Sequence, residues 1–247
     1  FIDAHSHHLG DLQRNSNGLS TSNQGITTVV IGQDGEGYPM DSLEKDMHEK
    51  PIVANVASYT GHSSLREAVM GEKNVLRQAT QLEVDKMKQI LENELGKGSL
   101  GLSTGLEYEQ AFYSSRDEVL QLAQVAANAN TRYISHIRSE DVTMSDALEE
   151  IIQIGKITKM PVQISHIKLA KKSDWGTASN ILAQLDKARA DGVQITADVY
   201  PYTFWNSTLR VLFPARDYSN MESAQLAVTQ LFDPTASYIC LLYTSPS

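Results

Sequence analysis

The sequence holds one cysteine, Cys240, in 247 residues, so no internal disulfide framework is available. That leaves the compartment open, because large exported enzymes can also lack disulfides. No apolar run approaches the ~18 residues needed to cross a bilayer. Basic residues are outnumbered 21 to 30 for a net charge of −9, and no basic stripe offers a surface for nucleic acid. The G-x-G-x-x-G turn of an open dinucleotide-binding sheet is absent after the first apolar run. Internal repeats and low-complexity linkers are lacking too. What remains is an ordinary globular composition, 41% hydrophobic and 21% charged, in a chain long enough to bury a core without cross-links.

Short apolar runs alternate with helical patterns along the whole chain. The runs 1–8, 26–33, 51–59, 99–104, 132–138, 161–167 and 194–200 read as buried parallel strands, several rich in β-branched residues. Helical periodicity falls between them. In 81–95, Leu82, Met87, Leu91 and Leu95 lie near one face; in 116–129, Val119, Leu122, Val125 and Ala126 do the same. The segments 143–159 and 177–191 follow suit, with Gly192 where a helix C-cap is expected. Seven βα-like units predict an α/β fold, a (β/α)8 TIM barrel that is incomplete, with strand eight missing. An open doubly wound sheet is the runner-up. Residues 1–237 are expected to form this barrel, cut at both ends, since Phe1 starts directly on a strand motif. The stretch 238–247 reads as a non-native read-through tail.

The polar residues at the strand ends carry the chemistry. His5 and His7 are two apart on a strand and therefore share a face. His136 and His166 occupy matching settings, "YISHIR" and "QISHIK", each closing a β-branched run. In a barrel the C-terminal strand ends form the catalytic rim. Neutral imidazole is a favoured ligand for zinc and its neighbours. One such histidine is usually a satisfied core or surface residue; four over three strand ends predict a metal site. His62, ahead of the helix-start pattern Ser63–Glu67, is a lesser candidate for substrate contact. Asp198 reads as a pocket support and Asp3 as a residue below His5.

The ordered motifs "FIDAHSHH", "GITTVVIGQDG", "GHSSLREAVMG", "GSLGLSTGLEYEQAFYSS", "YISHIRSE", "VQISHIKLAKKSDWG" and "ADVYPYTFWNST" resemble the amidohydrolase superfamily, in its N-acyl-D-amino-acid deacylase branch. The resemblance covers roughly residues 1–210. It implies a metal-dependent hydrolase that cleaves the linear amide of a small-molecule N-acyl amino acid. It implies Zn2+, in one or two divalent positions, with His5, His7, His136 and His166 as ligands. It implies Lys168 and Tyr200 in the substrate pocket, and more weakly Tyr108, Arg138 and Ser207. The general acid–base aspartate of the superfamily sits at strand eight, so no catalytic residue is assigned in this chain, and a fragment ending here is expected to be inactive.

Two positions depart from the branch. Asp34, in Gly32-Gln33-Asp34-Gly35, stands where many relatives have a metal-ligating cysteine, although the run also reads as a turn. Glu107 stands where some relatives have an aromatic residue; it is either a carboxylate bridging two metals or a hydrogen-bond acceptor behind a ligand. Hydrolysis of a cyclic amide is the alternative function, disfavoured because "GLSTGLEY" lacks the lysine those relatives carry on strand four. An inactive metal-binding barrel is the third reading. Acyl group, side chain, stereochemistry and oligomeric state are not written in the sequence.

Overall fold

The computed structural model describes residues 1–213, 215–231 and 235. The expected tail at 238–247, with Cys240, lies outside the described residues. The described residues form eight short strands: β1 (Ile2–Asp3), β2 (Thr28–Ile31), β3 (Asn55–Ser58), β4 (Thr60–Gly61), β5 (Gly101–Gly105), β6 (Arg132–His136), β7 (Val162–Ile164) and β8 (Ile195–Ala197). All ladders are parallel, in the orders β1-β2-β3 and β4-β5-β6-β7-β8. The expected strand 51–59 is seen over 55–58 as β3, and after a break at Tyr59 the segment resumes just beyond that range as β4. The Tyr59 amide donates back to the Ile31 carbonyl at 3.0 Å, while Leu100 donates to the Ser58 carbonyl at 2.8 Å. One segment thus serves β2 on one edge and β5 on the other. Seven strand positions follow one another in chain order, which is the sequential parallel arrangement of an α/β barrel.

The helices are α1 (Leu9–Arg14), α2 (Leu19–Ser22), α3 (Met40–Glu49), α4 (His62–Met70), α5 (Gln81–Gly96), α6 (Glu109–Phe112), α7 (Arg116–Asn128), α8 (Met144–Thr158), α9 (Ala178–Ala190) and α10 (Met221–Leu226). α5 starts on a capping box in which Thr80 and Glu83 bond each other's backbone amides. Its buried stripe is Val84, Met87 and Leu91, not the expected one through Leu82, which is exposed. Five residues separate Leu82 from Met87, about 140° around the axis at 3.6 residues per turn, so the two cannot share a face. α9 ends as expected, with Gly192 at φ +88 just beyond Asp191.

Met87, Leu91, Leu102, Leu122, Tyr133, Leu148 and Ile164 belong to one core between α5, α7, α8 and strands β5–β7. A smaller cluster, including Leu9, Leu12, Val29, Ile31 and Leu43, packs under β1–β2. α4 carries a buried ionic knot beside the first core. The Arg66 guanidinium meets Glu118 of α7 at 2.5 Å and donates to the carbonyls of Gln110, Val75 and Arg77. His62 Nε2 lies 2.8 Å from the same carboxylate oxygen, with both side chains buried. His62 is thereby committed to this knot rather than to a substrate.

Candidate metal centre

The strand ends converge on one cluster. His5 follows β1, with its amide donating to Asp3 Oδ1 at 3.3 Å. His136 closes β6, and His166 follows β7 at φ +35. Asp34 follows β2, also in the left-handed region at φ +59. Its turn is held by close backbone packing. A Cβ on Gly105 would overlap the Asp34 carbonyl, and one on Gly35 would come within 2.7 Å of the Gly105 nitrogen. Only residues without a side chain let the β2 loop lie this close on β5.

Asp34 is the hub. Its Oδ2 lies 3.3 Å from His166 Nε2, 3.4 Å from His7 Nε2 and 3.7 Å from His5 Nε2. His5 and His7 face each other through Nε2 at 3.3 Å. His136 Nδ1 and His166 Nε2 face each other at 3.0 Å. One carboxylate oxygen is therefore shared by three of the four imidazoles, and His166 links it to His136.

The outward nitrogens of His5, His166 and His136 each meet a carboxylate. His5 Nδ1 lies 3.2 Å from Asp198 Oδ1, an ion-pair distance without hydrogen-bond alignment. His166 Nδ1 lies 3.1 Å from Glu140 Oε1, and His136 Nε2 lies 2.9 Å from Glu107 Oε2. Asp198 is fixed in turn by Gln163 at 2.7 Å and by the His166 amide at 2.6 Å. A carboxylate behind each of these three rings sets its orientation and leaves the inner nitrogen a lone pair for a cation. His7 is the half-exposed member of the four.

The donor set fits a divalent metal. Ligands at about 2.05 Å in a tetrahedron sit about 3.3 Å apart. The inner atoms around Asp34 are separated by 3.0 to 3.7 Å. Asp34 Oδ1 is buried without a hydrogen-bond partner, an orphan that a cation would satisfy. Within the described residues His5, Asp34 and His166 offer ligand atoms within 4.8 Å of one another, as do His136, Glu140 and His166. Glu107 belongs to neither group and lies on the outer side of His136.

The electrostatics of the cluster agree. Burial alone would lower His5, but Asp198 and Asp34 outweigh it and raise it to about 9. Burial likewise works against His166, and Asp34 and Glu140 raise it to about 9. For Asp34, burial works upward, yet contacts with His166, His5 and His7 hold it well below the usual carboxylate range.

A cavity opens beside the cluster. Lys168, Tyr200, Tyr108 and Ser207 line it together with His7, Asp34, Glu107, His136 and His166. Lys168 Nζ pairs with Glu140 and sits 5.9 Å from the Tyr200 ring centre. The Tyr108 ring lies 4.4 Å from His136. Burial, then the charge on Glu140, raises the Tyr200 phenol to about 12. Trp205 is on the cavity wall, while Trp175 is exposed.

Arg138 does not join this group. Its guanidinium grips Glu150 through two bonds of 2.8 Å and donates to the carbonyls of Ser114 and Phe112. Glu140 was missed by sequence reasoning although it holds three site residues. Its signal was its place four residues after His136 in "YISHIRSE".

Residues 1–234 match the model of the Amidohydrolase family. The chain belongs to that family. It is 33% identical over 241 residues to N-acyl-D-glutamate deacylase of Alcaligenes xylosoxydans xylosoxydans, covering 87% of this chain and 48% of that protein. A crystal structure of N-acyl-D-glutamate deacylase from Bordetella bronchiseptica, complexed with zinc and a phosphonate mimic of the tetrahedral intermediate, superposes with TM-score 0.76 at 31% identity, covering 82% of this chain and 47% of that one. A D-aminoacylase structure concerned with the role of a binuclear metal centre gives TM-score 0.76 at 29% identity, over 82% and 47%. The chain thus spans about half the length of the relatives it matches.

Proposed function

We propose that this chain is the metal-binding part of a hydrolase that cleaves the amide of linear N-acyl-D-amino acids. The carrying observation is the carboxylate hub, Asp34 Oδ2, shared by three of the four imidazoles at the strand ends beside a polar cavity. Similarity to deacylases of N-acyl-D-amino acids supports the substrate class. His5, His7 and Asp34 would hold one divalent ion, with zinc the first candidate; His136, His166 and Asp34 would hold a second.

When bound, such an ion supplies an activated water and a Lewis acid for the carbonyl oxygen. The chain's own residues prepare the rest. Asp198, Glu140 and Glu107 fix the rings of His5, His166 and His136 from behind. Lys168, beside Tyr200, presents a cation to the substrate carboxylate. Tyr108 and Ser207 bound the substrate from the cavity wall. Arg138 holds the loop that carries Glu107 and Tyr108, through the Ser114 and Phe112 carbonyls.

The test is turnover by the full-length, zinc-loaded protein of paired N-acetyl-D- and N-acetyl-L-amino acids, with a hydantoin and dihydroorotate alongside. Cleavage of the D-series is expected. Opening of the cyclic amides without cleavage of any N-acetyl amino acid would overturn the proposal.

A further inference from the structure

The cavity carries two lysines that differ in how firmly they are held. Lys168 Nζ is paired with buried Glu140 and lies 3.1 Å from His166 Nδ1 and 3.3 Å from its carbonyl. Lys171 has a looser hold. Its ion-pair partner, Asp174, is 3.9 Å away, at the outer limit of such a contact, and that oxygen already accepts from Ser173 Oγ at 3.0 Å. The Lys171 side chain is only 26% exposed, so its ammonium is partly withdrawn from water.

The turn carrying Lys171 is pinned. The Ala170 amide donates to the Glu140 carbonyl at 3.0 Å, and the Asp174 amide donates to the Lys171 carbonyl at 3.0 Å. Trp175 Nε1 donates to the Leu169 carbonyl, also at 3.0 Å. Asp141, an acid on the same cavity wall, is already occupied, because its Oδ1 accepts from Ser139 Oγ at 2.7 Å and from the Val142 amide. The other acids of the wall are engaged, Glu140 with Lys168, Asp34 with His166 and Glu107 with His136, while Tyr200, Asn206 and Ser207 are neutral.

We infer that Lys171 is a specificity-determining residue that binds a second carboxylate, so that the preferred substrates are N-acyl derivatives of dicarboxylic D-amino acids. The inference rests on the deacylase reading above. Every N-acyl amino acid carries one carboxylate, which Lys168 serves. An acidic side chain carries another, and Lys171 is the loosely paired cation placed to receive it. A hydrogen bond to a charged group in such a setting changes affinity roughly 10- to 100-fold.

The test compares kcat/KM of the full-length, metal-loaded protein for N-acetyl-D-glutamate, N-acetyl-D-aspartate and N-acetyl-D-leucine, in wild type, Lys171→Met and Lys171→Arg. Wild type is expected to favour the acidic substrates by about tenfold or more, and Lys171→Met to lose roughly 10- to 100-fold on those alone. Lys171→Arg is expected to keep the preference. A wild-type preference for the leucine derivative, or equal effects of Lys171→Met on all three, overturns the inference. If none is cleaved, the deacylase reading fails, and calorimetric binding decides the inference separately. Equal affinity of wild type and Lys171→Met for N-acetyl-D-glutamate would overturn it.

Discussion

Replacing Asp34 by asparagine should remove the hub of the metal centre while keeping its shape. Asparagine is nearly isosteric and tolerates the left-handed backbone that Asp34 adopts at φ +59. The fold should therefore survive, and the anion alone is lost. That anion lies 3.3 Å from His166, 3.4 Å from His7 and 3.7 Å from His5, so three imidazoles share it. Removing a carboxylate that merely orients a ligand lowers metal affinity about 10- to 100-fold. Removing a shared ligand should exceed that, by roughly 100-fold or more, which is about 2.8 kcal/mol. The assay is calorimetric titration of the metal-free full-length protein with Zn2+, with elemental analysis after dialysis. Asp34→Asn is expected to bind fewer equivalents and bind them weakly. Glu107→Gln is the comparison: it should weaken binding about 10- to 100-fold with stoichiometry unchanged, because Glu107 stands behind His136. Zinc uptake by Asp34→Asn equal to wild type, or loss of an equivalent in Glu107→Gln, would refute the assignment of the bridge to Asp34.

Three further outcomes follow from the same geometry. Asp198→Asn should lower zinc affinity about 10- to 100-fold in the same titration, since Asp198 both orients His5 and accepts from the His166 amide; an unchanged affinity would remove it from the site. Gly105→Ala should destabilise the protein by roughly 1–3 kcal/mol in urea melts and lower its zinc content, because the new methyl meets the Asp34 carbonyl. Glu118→Gln should cost about 3–5 kcal/mol at neutral pH by leaving buried Arg66 without its counter-charge. The pH dependence has a definite sign. Burial works to raise the Glu118 pKa, but His62 and Arg66 outweigh it and lower it. Its stability contribution is therefore complete above the unfolded-state value near ~4.3 and is lost as pH falls through the lower folded-state value. Urea stability measured from neutral to acid pH should fall less steeply in Glu118→Gln; parallel curves would show that Glu118 is not the linked group.

The sequence exposes the strands and the histidines for the same reason. A parallel strand buried on both faces must be apolar, so a histidine closing such a run is conspicuous, as at His136 and His166. The partners of the rings leave no such mark. Glu140, Asp198 and Glu107 come from three different βα units, and what matters is which ring nitrogen each one faces. Arg138 illustrates the converse. The resemblance implies a pocket cation there, but Glu150, twelve residues on in α8, captures the Nε–Nη2 edge of its guanidinium. The break at Tyr59 was hidden too, because a strand that bonds different neighbours on its two edges is as apolar as one that does not.

Backbone strain separates the site from the scaffold without reference to side-chain type. Five described residues other than glycine have left-handed φ: Asp34, Asn130, Lys159, His166 and Arg216. Asn130 and Lys159 follow the C-termini of α7 and α8, where that conformation closes a helix and offers its last carbonyls a partner. The other three all touch the site. Asp34 is the hub, His166 faces it, and Arg216 donates to the Glu107 carbonyl. Conformations of this kind cost roughly 1–3 kcal/mol each and persist only where surrounding contacts impose them. For Asp34 and His166 the imposing contacts include each other's charge, which keeps the carboxylate ionised and raises the imidazole pKa. A cation held by the same two side chains would take over that role. The strain at Asp34 and His166 then fits the close approach that a shared cation would require.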